Sequence, residues 1–208
     1  MKNRYFDYFV RLLGILFITL GILAVRESFL AENYYQILWL CYSSVIFTGI
    51  AFFKKNNFLL ISQINILLIP LLVWNIDFFY MIFNGSSLFG ITDYFFKQDS
   101  FVSLIVSSQH IFIIPLSLLV IYFLGVKRRD SWKLSMIHIT SFFIIVRLFT
   151  SPEKNINFNF IPFNQFLVNL IPQWIYGFVW FIIFFVMIFL TNFLLIKLSN
   201  VRKIYKNL

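Results

Sequence analysis

Six apolar stretches divide the chain, over residues 7–25, 34–53, 58–83, 101–125, 133–150 and 172–198. Each is roughly 18–26 residues, the length needed to cross a hydrocarbon core of about 30 Å. The runs are continuously apolar and do not alternate every second residue, which selects helices over barrel strands. Turn-forming breaks separate them: Lys54-Lys55-Asn56-Asn57, Asn84-Gly85-Ser86-Ser87, Lys127-Arg128-Arg129-Asp130 and Ser151-Pro152-Glu153-Lys154. The pattern predicts an all-α, polytopic membrane helix bundle of six transmembrane helices. No connection is long enough to bury a separate core, so residues 1–208 read as a single integral membrane domain.

Charge gives the bundle a direction. With the N-terminus inside, the cytoplasmic segments hold Lys2, Arg4, Lys54, Lys55, Lys127, Arg128, Arg129, Lys133, Lys197, Arg202, Lys203 and Lys206, 12 of the 17 basic residues. The outer segments hold Arg26, Lys97 and Lys154 together with Glu27, Glu32, Asp93, Asp99 and Glu153, while Arg11 and Arg147 fall inside spans. The positive-inside rule then predicts a cytoplasmic N-terminus and a cytoplasmic C-terminus. The first stretch is expected to stay as a span and not to be cleaved as a signal peptide. Arg11 interrupts it, and no small-x-small site follows.

Composition narrows the function classes. The chain is 61% hydrophobic and 12% charged, too few charges to cover the surface of a soluble domain of this length. The expected location is a cell membrane, multi-pass. The net charge of +9 sits at the ends of apolar spans, so it reads as an orientation signal and not as a nucleic-acid footprint. The 30 Phe residues are a compositional bias. Cys41 is the single cysteine, so no intrachain disulfide forms. One Cys and two His do not make a metal-ligand set, and no cofactor is expected.

Polar residues inside the spans carry the functional signal, because they are expensive in lipid. Cys41, Ser44 and Thr48 share one face of the second span, and Ser103, Ser107, His110 and Ser117 one face of the fourth. Asn75 and Asp77 lie near the end of the third span and Arg147 near the end of the fifth. Counted from the outer ends, Cys41 is about seven residues into its span, roughly 10 Å, and His110 about nine, roughly 14 Å. Cys41, His110, Asp77 and Arg147 therefore share a depth in the outer half of the membrane, which suggests one polar pocket. A thiol beside a histidine can be deprotonated to attack an ester or thioester carbonyl. Asp77 would orient the imidazole, and Arg147 would hold a phosphate or carboxylate head group. The competing reading of each is structural: Cys41 as a small packing residue, His110 as a helix-to-helix hydrogen-bond partner, Asp77 and Arg147 paired with each other or anchored at the interface. His138 reads as structural, Arg11 as snorkelling to the cytoplasmic face, and Pro70 and Pro115 as tolerated kinks. The outer segments 84–100 and 151–171 are rich in aromatic residues. They would either roof the pocket or form an aromatic belt.

Leu38-Trp39-Leu40-Cys41, with His110 and Pro115 on a later span, resembles the YwaF-like bacterial multi-span membrane proteins. That group is related to eukaryotic Cys/His membrane lipid acyltransferases, and more distantly to Thr/His hydrolases of fatty-acid esters. Trp74-Asn75-Ile76-Asp77, Phe89-Gly90-Ile91-Thr92-Asp93-Tyr94, Asn155-Ile156-Asn157 and Pro172-Gln173-Trp174 extend the likeness. It covers most of the chain from the second span onward. The resemblance implies Cys41 as nucleophile and His110 as the family histidine. Tyr42 after the Cys, and Ser108-Gln109 before the His, depart from the family pattern, so fold can be shared without activity.

The expectation is a thiol-dependent acyltransferase or acyl-ester hydrolase acting on membrane lipids or a fatty-acyl substrate. Cys41 and His110 would be catalytic, with Asp77, Arg147, Ser44 and Ser107 supporting or binding substrate. The alternatives are a small-molecule binding or transport module, which would need a partner subunit, and a membrane assembly factor.

Overall fold

Among the described residues there are eight α-helices and two 3-10 turns, and no strand. The computed structural model describes residues 4–98, 100–163 and 165–206, and the side chains of all of these except 165, 166 and 200–206. Of the charges counted above, Lys2 and Asp99, and the side chains of Arg202, Lys203 and Lys206, lie outside the described residues. In chain order the helices are α1 (Arg4–Leu30), α2 (Leu40–Lys54), α3 (Asn57–Asn84), α4 (Asp93–Phe96), α5 (Phe101–Leu124), α6 (Trp132–Phe149), α7 (Gln165–Leu170) and α8 (Gln173–Lys206). The turns are Tyr34–Leu38 and Ile156–Phe158.

Five of these helices are long and apolar enough to cross a membrane, and α2 is a shorter apolar helix of 15 residues. Their ends carry local stop and start signals. The Asn56 side chain accepts from the Leu59 N–H at 3.1 Å to cap α3, and Gly85, at φ 72°, closes it in the left-handed region that glycine enters without strain. Ser100 caps α5 through the Ser103 N–H at 3.3 Å. Pro70 and Pro115 sit inside α3 and α5 without ending them.

The distribution of side chains is inverted relative to a soluble protein. Leu16, Leu72, Phe112, Ile144, Phe178 and Phe193 face outward, while Ser44, Thr48, Ser62, Asn65, Ser117 and Thr191 are fully buried. Such an apolar exterior is stable only against hydrocarbon. The chain is an all-helical membrane bundle.

α3 is the central element. One face packs with α1, α2 and α5 through Phe17, Val45, Phe52, Leu60, Ile64, Ile113 and Val120. The other packs with α6 and α8 through Ile66, Ile139, Tyr176, Trp180 and Ile188. α1 and α2 approach backbone to backbone. A Cβ on Gly14 would lie 2.8 Å from the Gly49 oxygen, and one on Gly49 would lie 2.7 Å from the Ile18 nitrogen. This is a small-residue crossing, the arrangement that substitutes for the hydrophobic effect between helices in lipid.

The connections gather at two ends. At the basic end, Asn57 donates to the Gly125 carbonyl, Ser199 Oγ accepts from the Val126 N–H at 3.3 Å, and Lys55 pairs with Asp7 at 3.0 Å. Arg11 turns toward the same end, 5.8 Å over the Phe53 ring. At the opposite end, the loop end, lie the Tyr34–Leu38 turn and the segments 85–98, 150–163 and 165–172.

The second span differs from its expected form. The apolar run 34–53 is not one helix: Tyr34–Leu38 is a 3-10 turn, and Trp39, at ψ 128°, is extended. α2 starts only at Leu40, so Cys41 occupies its first turn and is not about seven residues into a helix. A break at this depth strands the Leu38 carbonyl and the Leu40 N–H. Both are satisfied by one side chain: Asn157 Oδ1 accepts from the Leu40 N–H at 2.8 Å, and its Nδ2 donates to the Leu38 carbonyl at 2.8 Å.

Candidate functional site

α2 and α5 both run toward the basic end. Cys41 lies about 13 residues before Lys54, and His110 about 14 before Leu124. Both are therefore roughly 20 Å from that end at 1.5 Å per residue. A polar and aromatic cluster occupies this level, under the segment that carries α4. Its centre is Tyr94. The Tyr94 hydroxyl accepts from Trp74 Nε1 at 3.2 Å and also meets Ser107. Burial pushes the phenol up, the nearby Cys41 thiol and Tyr42 add to the shift, and the Trp74 and Ser107 hydrogen bonds oppose it. The Tyr94 hydroxyl therefore keeps its proton at neutral pH.

His110 is 7% exposed. Its Nδ1 lies 2.7 Å from the Ser107 carbonyl. A carbonyl only accepts, so Nδ1 carries the proton and Nε2 keeps its lone pair. The ring stacks on Trp74 with centroids 4.9 Å apart; Trp74 stacks on Phe78 at 5.0 Å, and Phe78 on Phe96 at 5.5 Å. This ladder runs from α5 across α3 to α4 and fixes the plane of the imidazole. Asn75 Nδ2 donates to the His110 carbonyl at 3.1 Å. Among the described residues no hydrogen bond joins Cys41 to His110; Tyr94 interacts electrostatically with Cys41 and hydrogen-bonds Trp74, on which the His110 ring stacks. The Cys41 sulfur lies against the N–H groups of its own residue and of Tyr42, at the helix start where unpaired donors collect.

Two carboxylates hold the roof. Asp77 is fully buried. Its Oδ1 accepts from the Phe89 N–H at 2.6 Å, and its Oδ2 from the Thr92 N–H at 2.9 Å and the Thr92 hydroxyl at 2.8 Å. Its hydrogen bonds go to the loop, not to the imidazole. Glu27, at the end of α1, accepts from Ser100 at 2.9 Å and Ser103 at 3.2 Å, beside the start of α5, where a negative charge is favoured. Ser107 and Gln98 exchange hydrogen bonds at 3.0 and 3.4 Å.

Ser44 is buried on α2 with its hydroxyl unpartnered among the described residues. Arg147 does not meet Asp77. Its guanidinium donates to the Asn159 carbonyl at 2.7 Å and lies 4.6 Å over the Phe160 ring. Gly177 leaves the room it needs, since a Cβ there would sit 2.6 Å from the guanidinium. Among the described residues no carboxylate pairs with Arg147, and no group of three His, Cys, Asp or Glu comes together.

The segment 155–160 is a folded plug and not a flat belt. Asn155 Oδ1 accepts from the Phe160 and Ile161 N–H groups at 3.1 and 3.0 Å, and its Nδ2 donates to the Ile161 carbonyl at 2.8 Å. Asn155, Asn157 and Phe158 adopt positive φ of 39°, 56° and 52°. Asn tolerates this region, whereas a Phe there costs roughly 1 kcal/mol or more, offset by tertiary contacts. Those contacts are Trp180 Nε1 to the Asn157 carbonyl at 3.0 Å and Tyr176 to the Phe158 carbonyl at 2.8 Å.

A second polar region lies between α3, α6 and α8. Asn65 Nδ2 donates to Ser135 Oγ at 3.3 Å and Asn192 Oδ1 at 3.2 Å, and Asn192 Nδ2 donates to the Arg129 carbonyl at 3.1 Å. One turn beyond Ser135, His138 Nε2 meets Ser43 Oγ at 3.0 Å, while its Nδ1 is unpartnered among the described residues.

Sequence reasoning gave no role to Tyr94, Trp74 or Asn157, although all three fall in the stretches that carry the family resemblance, and it missed the Asn65–Asn192 network. The buried Asn residues at helical spacing were the available signal for that network. No family model, curated protein or solved structure matches this chain.

Proposed function

We propose that this protein is a bacterial cell-membrane enzyme that transfers or hydrolyses lipid acyl chains at the cluster under the 85–98 segment. The observation that carries the reading is the fixed imidazole. His110 is held by the Ser107 carbonyl and the Trp74 stack, with Nε2 free to take a proton at the level of the only thiol in the chain. His110 Nε2 accepts the Cys41 proton, and the thiolate attacks the ester carbonyl. The C–O bond breaks, the leaving alcohol takes the proton back, and a thioester forms on Cys41. Water or an acceptor hydroxyl, deprotonated by the same Nε2, then releases the acyl group. Tyr94, protonated and within electrostatic range of Cys41, would donate to the oxyanion. The resemblance to YwaF-like proteins points the same way.

Purified protein in lipid vesicles should turn over acyl-ester lipids and carry a hydroxylamine-labile acyl group on Cys41. Cys41→Ala and His110→Ala should each lower turnover at least a hundredfold at normal protein levels. Retention of full turnover by either variant sinks the reading.

A second reading, a small-molecule transport module, is favoured by the polar run of Ser131, just before α6, with Ser135 and His138 on it. It requires a partner subunit that co-purifies from native membranes, and it predicts no acyl adduct.

A further inference from the structure

We infer that Asn157 is a positioning residue for Cys41, an amide clamp that sets where α2 begins and therefore where its thiol points. This rests on the acyl-transfer reading for its catalytic meaning, but the clamp itself stands on geometry. The run Leu38-Trp39-Leu40 has no residue of its own that breaks a helix, and yet the helix is broken there. The Asn157 side chain occupies the gap, accepting from the Leu40 N–H and donating to the Leu38 carbonyl, both at 2.8 Å. An amide is the side chain that presents an acceptor and a donor side by side, matching the two backbone groups that a break leaves open. In an apolar setting neither group has water as an alternative.

The clamp is itself held. Asn157 is 7% exposed. Its backbone sits at φ 56°, ψ 22°, and its carbonyl accepts from Trp180 at 3.0 Å. Leu40 belongs to the same buried cluster as Tyr176 and Trp180. Strain, burial and three hydrogen bonds thus converge on one residue whose output is the first turn of α2. Cys41 follows Leu40 directly, with its sulfur against the N–H groups of residues 41 and 42. A freed Leu40 would let this turn fray, and the thiol would lose both its direction and its shelter.

Because Cys41 is the only cysteine, its reactivity reads the clamp without engineered labels. Alkylation by N-ethylmaleimide would be timed in native membranes for wild type, Asn157→Ala, Asn157→Asp and Asn159→Ala. The expected result is at least tenfold faster labelling in Asn157→Ala. Asn157→Asp keeps the acceptor for Leu40 and loses the donor to Leu38, so it should fall between. Asn159→Ala loosens the same plug without touching α2 and should label within twofold of wild type. Labelling of Asn157→Ala at the wild-type rate overturns the clamp. Should that variant fail to accumulate, wild-type labelling of Asn157→Asp overturns it as well. In the turnover assay, Asn157→Asp should lower kcat with KM nearly unchanged. Absence of acyl turnover in wild type would remove the enzymatic reading and leave the labelling result to judge the clamp.

Discussion

Asp77 shows how a charge is tolerated at the end of a membrane helix. Its two oxygens take three hydrogen bonds from residues 89 and 92, so a carboxylate that would be costly alone becomes the staple of the loop above the site. Asp77→Ala would leave two loop N–H groups without partners and cost about 3 kcal/mol. The apparent melting temperature in detergent should fall by roughly 5–10 °C, and loop 85–92 should become protease-sensitive; an unchanged melt with an intact loop would refute this role. The sequence flagged Asp77, because a carboxylate in an apolar run stands out. It did not show the partners, because backbone N–H groups have no sequence signature. His138 is the converse case. It reads as a structural histidine, and only the fold brings Ser43 to its Nε2.

At the scale of elements, apolar run length is a direct image of helix length, and α1, α3, α5, α6 and α8 lie close to where the pattern puts them. α2 departs from it because its break is not local: the residues on either side of Trp39 are apolar, and the side chain that completes the break is more than a hundred positions away. The seam between α1 and α2 is legible only in hindsight, since glycines in a membrane helix do not announce which neighbour they face. Gly49→Ala would drive a Cβ to within 2.7 Å of the Ile18 nitrogen and 2.8 Å of the Gly14 carbonyl. Backbone cannot move aside as a side-chain tip can, so the helices must separate, at about 1–3 kcal/mol. Unfolding of this variant in mixed detergent micelles should shift to lower denaturant by that amount. Gly90→Ala, at a position open to space but at φ 75°, should cost less; equal losses would show that the seam is not a close contact.

The whole molecule is two groups of helices built on opposite faces of α3. The thiol-and-imidazole cluster belongs to the group formed with α1, α2 and α5, and the Asn65–Asn192 network to the group formed with α6 and α8. The basic end gathers Lys54, Lys55, Lys127, Arg128, Arg129 and Lys133, where Arg128 bonds Asp130 at 2.7 Å and holds that carboxyl below its ordinary range. The positive-inside rule predicts that this end faces the cytoplasm. Fluorescent-protein fusions at either terminus should therefore glow, and alkaline phosphatase fusions at the same points should be inactive. Active phosphatase at either terminus would reverse the assignment. With the basic end cytoplasmic, the loop end and the cluster beneath it face the outer leaflet.

Membrane proteins are made from one end to the other, and the clamp at Asn157 has a history as well as a shape. α2 emerges from the ribosome and enters the bilayer long before residue 157 has been synthesised. Until then the carbonyl of Leu38 and the N–H of Leu40 have no final partner, and the nascent segment is free to run as one uninterrupted helix. Cys41 reaches its final orientation only when the last quarter of the polypeptide has arrived and residue 157 has folded onto the start of α2. A chain truncated during synthesis would thus be inserted with the start of α2 not yet set.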